Sequence, residues 1–332
     1  MSMAIAGDLP AKPAVVTKEA ALASFRRGDA LFYWMTRLSA LTVLALLGGI
    51  IVSLIIGAWP AMQEFGFGFL TTQRWAPQIE PTPVMGALGP IYGTLLSSFI
   101  AMLIAVPVGI GIAVFLTELC PMVLRRPIAI AIELLAGIPS IIYGMWGFFV
   151  LGPFLAEKFQ PFMIATFGEL PVIGGFFAGP PSQLSLFNAA LVLAIMILPF
   201  ITAVCRDVFA TVPPVLKEAA YGVGCTTWEV VRRVVIPYTR VGIIGGVMLA
   251  LGRALGETMA VTFIIGNAFK ITGSVFAPGT TISAAIASEF AESSGLHQSG
   301  LILLGLLLFV LTFAVLSAAR LMLMRLEAKQ GK

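Results

Sequence analysis

Apolar runs of membrane length recur along the chain, separated by short polar or proline-rich intervals. A helix needs about 20 mainly apolar residues to cross about 30 Å of hydrocarbon. Six stretches meet that need: Leu31 to Trp59, Ile91 to Leu119, Ile128 to Leu151, Leu186 to Val204, Tyr238 to Ile265 and Leu301 to Leu323. The pattern predicts an all-α, polytopic membrane protein with six transmembrane helices. The first run is longer than the apolar core of a secretory signal and no small-residue cleavage site follows it, so it reads as an anchor. Ahead of it, the first 28 residues carry no long apolar period and read as a tail with a short helix over Lys18 to Arg27. The predicted organisation is residues 1–30 as an N-terminal tail, 31–325 as a six-helix membrane domain and 326–332 as a C-terminal tail.

Composition narrows the class. Hydrophobic residues make up 59% of the 332 and charged residues only 11%, against roughly 25% charge in soluble domains, which excludes a soluble enzyme. Three cysteines without a CxxC pair and a single histidine, His297, exclude a disulfide scaffold and a zinc site. Cytoplasmic loops of membrane proteins carry the excess of Lys and Arg. With both termini placed in the cytoplasm, most of the 20 basic residues fall on that side, in the tails, beside Arg125 and Arg126, and between the fourth and fifth spans. The outer loops then hold only Arg74, Lys158 and Lys270 against Glu64, Glu80, Glu157, Glu169, Glu289 and Glu292. Such a surface does not draw an anion from bulk water, so an anionic cargo requires delivery.

The segment from Val212 to Pro237 is more than a linker. Pro213 and Pro214 stop one helix and open the next, Lys217 to Ala220 favour helix, and Gly222 and Gly224 bend it. Thr226 or Thr227 caps a second helix with Trp228, Val231 and Val235 as its apolar face. Two short helices joined at a glycine corner, outside the membrane, are predicted. Glu218-Ala219-Ala220, succeeded at fixed spacing by Gly224 and then by Val234, Ile236 and Pro237, resembles the cytoplasmic signature of ATP-binding-cassette importer permeases. Val and Ile stand where that signature has Ile and Leu. Three further stretches, Glu133 to Gly144, Gly222 to Glu229 and Gly252 to Ala260, look like the phosphate-specific importers and most like their PstC-type permeases. The resemblance implies a type I ABC importer permease fold in the bacterial inner (plasma) membrane. It implies a coupling helix built on Glu218, Ala219, Ala220, Gly222, Gly224 and Pro237. It also implies a complex with a homologous PstA-type permease, a PstB-type ATPase dimer and an extracytoplasmic phosphate-binding protein. No GxxxxGK[ST] run occurs, so the chain itself is not expected to be an enzyme or to bind a cofactor, ATP being used by the partner ATPase. Permeases for other oxyanions (sulfate, molybdate) and an autonomous secondary transporter are the alternatives.

Arg253 lies 15 residues beyond Tyr238, about 22 Å along a helix and hence deep in the bilayer, where an isolated guanidinium costs at least about 2.5 kcal/mol. Glu257 comes at i+4 and Thr258 at i+5, which predicts that Arg253 and Glu257 share a helix face. Two readings stay open: a structural ion pair, or a translocation pathway in which Arg253 binds phosphate oxygens and Glu257 moderates its hold. Glu133 reads as structural or gating, and Pro139 with Ser140 as a kink and candidate hinge, Ser140 repairing part of the broken ladder. Gly242, Gly246 and Ala250 read as a packing seam. The outer aromatic segments Phe65 to Phe69 with Trp75, and Gly174 to Pro181, read either as interfacial anchors or as docking sites for the binding protein.

Overall fold

The computed structural model describes residues 18–79, 83–171 and 174–328, with side chains over 29–79, 83–171 and 174–325. Its main helices are α1 (Lys18–Phe65), α2 (Leu88–Leu119), α3 (Met122–Ala136), α4 (Ser140–Phe167), α5 (Leu186–Ala210), α6 (Pro214–Gly222), α7 (Thr227–Leu255), α8 (Met259–Ile265), α9 (Ile282–Glu289) and α10 (Gly295–Ala328). Among the described residues six helices are long and apolar enough to cross a membrane: α1 from Asp29, α2, α4, α5, α7 and α10 as far as Arg325. The chain divides into two compact units within α1, between Ser53 and Leu54.

In the first unit α1 is continuous from Lys18, so the expected separate helix over Lys18 to Arg27 merges with the anchor. Its apolar side chains, among them Phe32, Trp34 and Leu44, are exposed. The Arg37 guanidinium lies 5.6 Å from the Trp34 ring centre, an aromatic and cationic pairing suited to a headgroup zone.

In the second unit α5 is the most enclosed span. Its residues Val192, Leu193, Ile197 and Ile201 join Ala101 and Ala105 of α2 and Ala250 and Ala254 of α7 in one core. Small residues let the backbones approach: a side chain at Gly242 or Gly246 would come within 2.6 Å of Val208 or Val204 of α5. A second cluster joins Ala58 and Ala61 of α1 to Leu301 and Leu304 of α10. There the Ser299 hydroxyl donates to the Gly57 carbonyl at 2.8 Å and accepts from the Ala61 N–H at 3.1 Å. Toward the C-terminal end of α4 the Gln160 side chain donates to Asn188 of α5 at 3.1 Å and accepts from the Ser182 N–H at 2.7 Å.

Two spans lie elsewhere than hydropathy places them. The third is α4, residues 140–167, not 128–151: the chain breaks at Gly137 to Pro139, and the preceding α3 has no buried residue. The fifth is α7, residues 227–255, not 238–265: it grows directly out of the segment that follows α5 and ends at Gly256, and α8 is a separate helix.

Four of the prolines in or beside the helices are preceded by a widened turn. Four π-turns, Phe115–Leu119, Gly147–Leu151, Leu155–Phe159 and Val231–Val235, each end two residues before a proline, namely Pro121, Pro153, Pro161 and Pro237. A proline lacks the N–H its helix needs and its ring presses on the carbonyl four residues earlier. Widening the preceding turn to i→i+5, as in Gly152 N–H to Gly147 and Ile236 N–H to Val231, relieves that clash. Before Pro121 the carbonyl released is that of Thr117, and the Arg125 guanidinium donates to it at 2.8 Å.

Gly93 of α2 passes so close to the strap before α9 that a Cβ would lie 1.9 Å from the Thr280 carbonyl oxygen. Beside it, the Thr94 hydroxyl accepts the Ile282 N–H at 3.0 Å. Gly93→Ala is therefore expected to destabilise the purified protein by about 1–3 kcal/mol or more, as overpacking against backbone does. Gly111→Ala, in the same helix with nothing within 4 Å of its Cβ, holds or slightly raises the melting temperature in detergent, because Ala favours a helix interior over Gly; equal melting of the two variants would contradict this packing.

Candidate functional site

The segment between α5 and α7 forms an elbow. Pro213 caps α6 and Pro214 occupies its first turn, where a missing N–H costs nothing. The helix ends at Gly222, and Gly224 takes φ +91°, a left-handed conformation that disfavours any side chain. The Gly224 N–H donates to Tyr221 and the Cys225 N–H to Ala220, at 2.9 and 3.1 Å. Thr226 then opens α7 with a capping box: its N–H donates to the Glu229 carboxylate at 3.0 Å and its hydroxyl accepts the Glu229 N–H at 3.4 Å. The helix that Thr226 caps is therefore no second short one but the long span α7 itself. Pro237, expected to close the segment, lies inside this continuous helix because the π-turn Val231–Val235 accommodates it.

The elbow has an inner and an outer face. Ala220, Val230, Val231 and Val235 turn toward the core. Glu218 and Ala219 are exposed, together with Val215, Leu216, Tyr221, Val223 and Trp228. Trp228, expected on the apolar inner face, is 66% exposed. Lys217 holds the elbow inward: its ammonium lies 2.6 Å from the Glu118 carboxylate, and the Glu118 side chain is 7% exposed. Glu118 sits in the π-turn that ends α2, so this ion pair ties α6 to the end of the second span. The sequence hinted at it only through a lone carboxylate at the end of an apolar run.

Arg253 occupies the last turn of α7 and is exposed. The expected shared face with Glu257 does not form, because the helix ends at Leu255 and Glu257 lies beyond the break. The Glu257 carboxylate accepts the Ala260 N–H at 3.3 Å, closing the start of α8. Arg253 forms no ion pair among the described residues. Thr258 donates its hydroxyl to the Gly256 carbonyl at 3.3 Å, and its own carbonyl accepts the Thr262 hydroxyl at 2.7 Å. The break therefore presents one guanidinium, one carboxylate engaged with backbone and one threonine within six residues, a set able to bind an oxyanion by charge-assisted hydrogen bonds.

The second break abuts the first. α8 packs on the start of α4 so closely that a Cβ on Gly144 would lie 3.1 Å from the Ala260 Cα. Pro139 stands at the junction of α3 and α4. Tyr143, not Ser140, repairs the ladder, its hydroxyl donating to the Leu135 carbonyl at 2.8 Å. Glu133 on exposed α3 binds Arg206 of α5 at 2.7 Å, and Arg206 also holds Asp207 at 3.0 Å.

Residues 84–327 match the family of binding-protein-dependent transport system inner membrane components. The chain belongs to that permease family. The permease is 62% identical over 323 residues to the phosphate transport system permease protein PstC of Mesorhizobium japonicum, covering 97% of this chain and 98% of that protein. It is 56% identical over 304 residues to the protein of the same name in Haemophilus influenzae, covering 92% and 96%. Among solved structures it resembles a chain of a bacterial alginate ABC transporter in complex with alginate pentasaccharide-bound periplasmic protein, with TM-score 0.61 and 18% identity over 90% of this chain and 96% of that one. The permease is thus an all-α multi-pass membrane protein with the type I ABC importer permease fold.

Removing one member of a largely buried ion pair leaves the other charge uncompensated, at a cost below the about 3–5 kcal/mol of a fully buried pair because the Lys217 side chain is still 20% exposed. Lys217→Met is expected to lower the melting temperature of the purified permease markedly, and adding Glu118→Gln to restore most of the loss. Additive losses in the double variant would show that the two side chains do not depend on each other.

Proposed function

We propose that this chain is the transmembrane permease subunit of an ATP-driven inorganic phosphate importer in the bacterial inner membrane, with both termini in the cytoplasm. The names of its relatives and the side-to-side bias of its basic residues support that reading. It works beside a homologous PstA-type permease, over a PstB-type ATPase dimer that uses the ATP, and receives phosphate from an extracytoplasmic binding protein. The chain itself holds no cofactor or metal.

One observation carries the mechanism: the elbow and Arg253 are the two ends of a single helix. From the Thr226 cap to Arg253, α7 runs unbroken for about 40 Å at 1.5 Å per residue. The exposed apolar side chains Val215, Leu216, Tyr221 and Val223 offer α6 to a groove on the ATPase. Closure of the ATPases displaces α6, Gly224 sets the angle at which it meets α7, and the helix carries the displacement to the break at Gly256. There Arg253 supplies planar donors to phosphate oxygens and Thr258 a hydroxyl. Glu257 holds the start of α8 in place and sets a negative charge near the anion, which favours release over trapping. The kink at Pro139 and Ser140, tied to α5 by Glu133 and Arg206, is the hinge against which α8 moves.

Proteoliposomes holding the complete importer are expected to take up phosphate only with both binding protein and ATP, and sulfate and molybdate do not compete. Arg253→Gln is expected to reduce uptake to background with the complex still assembled. Gly224→Val, which forces a β-branched side chain into positive φ, leaves ATP hydrolysis running while uptake falls at least about tenfold, the consequence of about 1.4 kcal/mol lost from coupling. Uptake by this chain alone on an ion gradient, or normal flux through Arg253→Gln, would contradict the proposal.

A further inference from the structure

The segment joining α1 to α2 carries Trp75, which the translocation account leaves unused. Its ring stacks on Phe269 with centres 4.9 Å apart and planes 3° from parallel, and its indole N–H donates to the Glu289 carboxylate at 2.8 Å. The backbone of this segment bonds along the chain instead, Ala76 with Val84 and the Leu88 N–H to Thr72. Among the described residues the Trp75 bond is therefore the one side-chain hydrogen bond from residues 72–79 to α9 or α10. The oxygen that accepts it, Glu289 Oε2, also lies 2.9 Å from Nε2 of His297 in the first turn of α10. Glu289 ends α9, so one carboxylate oxygen joins the segment before α2, α9 and α10.

The two partners of that oxygen differ in kind. An indole N–H is always a donor. A neutral imidazole carries its proton on either nitrogen, and in one tautomer Nε2 turns a lone pair toward the carboxylate, whereas a protonated imidazole donates from both nitrogens. Protonation removes the unproductive tautomer and makes the bond charge-assisted, roughly twice as strong as a neutral one. The His297 side chain is 19% exposed and that of Glu289 27%, so water reaches both. The other charged groups on the elements packed here are Glu64, Arg74, Lys270 and Glu292, the last lining a cavity with Glu289 and His297. All four are exposed, and none bonds to Glu289 or His297 among the described residues.

We propose that Glu289 and His297 form a proton-operated latch on Trp75. Protonated His297 fixes the Glu289 carboxylate beneath the indole N–H and holds residues 72–79 against α9 and α10; deprotonation loosens them. By linkage, the stabilisation that the proton adds is present below the titration of the imidazole and is lost as pH rises through it. On the orientation proposed above the latch faces the extracytoplasmic side, where pH follows the surroundings. The contact itself does not depend on which ion is carried.

The test uses the full chain in nanodiscs with its five tryptophans replaced by 5-fluorotryptophan, followed by fluorine NMR from about pH 5 to 8, the range in which histidines change charge. Trp75→Phe identifies the Trp75 resonance, whose ring centre lies 6.1 Å from that of His297. That resonance is expected to shift with pH; His297→Gln, which keeps a donor but cannot titrate, abolishes the shift, and Glu292→Gln keeps it. In hydrogen exchange at about pH 5.5, a peptide covering residues 72–79 is at least about threefold more protected in the unaltered chain than in His297→Gln, the gain of one charge-assisted bond, and the two converge by about pH 8. Glu289→Gln, which leaves Trp75 an acceptor but no charge, shows no such gain. A Trp75 resonance that does not move, a shift that survives His297→Gln or disappears in Glu292→Gln, or equal protection of the unaltered chain and His297→Gln in acid would overturn the proposal.

Discussion

Inside a bilayer no water repairs a broken backbone hydrogen bond, and each unsatisfied group costs several kcal/mol. That constraint organises this permease. At several places where its spans depart from regular helix, an identifiable group repairs the ladder. The π-turns before Pro121, Pro153, Pro161 and Pro237 reroute an N–H to the carbonyl five residues back. Arg125 serves the Thr117 carbonyl, the Tyr143 hydroxyl serves Leu135 at the α3–α4 junction, and the Glu257 carboxylate serves Ala260 at the start of α8. Two departures are full breaks rather than wide turns, at Gly137 to Pro139 and at Gly256 to Thr258, and the helices beyond them pack on each other at Gly144 and Ala260. Irregular backbone at membrane depth persists where it is enclosed by protein or lines a wet route, and the second break is where Arg253 stands.

Around those breaks the remaining structure divides into a rod and its supports. α7 is the rod. Glycines 242 and 246 let it lie against α5 at Val208 and Val204, and the capping box at Thr226 fixes its first turn. The Lys217–Glu118 pair anchors the elbow to α2, so the elbow meets the core through one partly buried charge contact and a short hydrophobic face. On the function proposed above, a partner pushing on the exposed side of α6 would displace α7 with it, because an α-helix transmits displacement along its length and a glycine corner sets only its angle.

Much of this is legible in the sequence because it is local. Apolar runs reveal six spans, the spacing from Glu218 to Pro237 reveals the elbow, and the threonines at 226 and 227 reveal a cap. The features that escape are those that hydropathy does not register. A window average across Gly137 to Pro139 or Gly256 stays apolar, so it places the third and fifth spans about a dozen residues from where the backbone puts them. The same averaging makes Arg253 and Glu257 neighbours on a helix face, when the helix ends between them and Glu257 has a backbone partner. Sequence proximity credits Ser140 with a repair that Tyr143 makes from one turn away, and apolar character places Trp228 inward though it faces out. The Glu118–Lys217 pair joins residues 99 apart, a separation across which no local pattern carries information.

The central claim is that the elbow and Arg253 sit on one rigid helix. Its most direct test is a pulsed electron paramagnetic resonance distance between spin labels at Trp228 and Leu249, both exposed on α7, recorded in the complete importer at rest and with ATP trapped in the ATPases. A rigid rod predicts one unchanged, narrow distance of about 31 Å in both states, while a second pair at Leu249 and Phe313 of α10 shifts as the rod moves. A Trp228 to Leu249 distance that lengthens, shortens or splits on ATP trapping would show that α7 bends between elbow and arginine, and would contradict the claim.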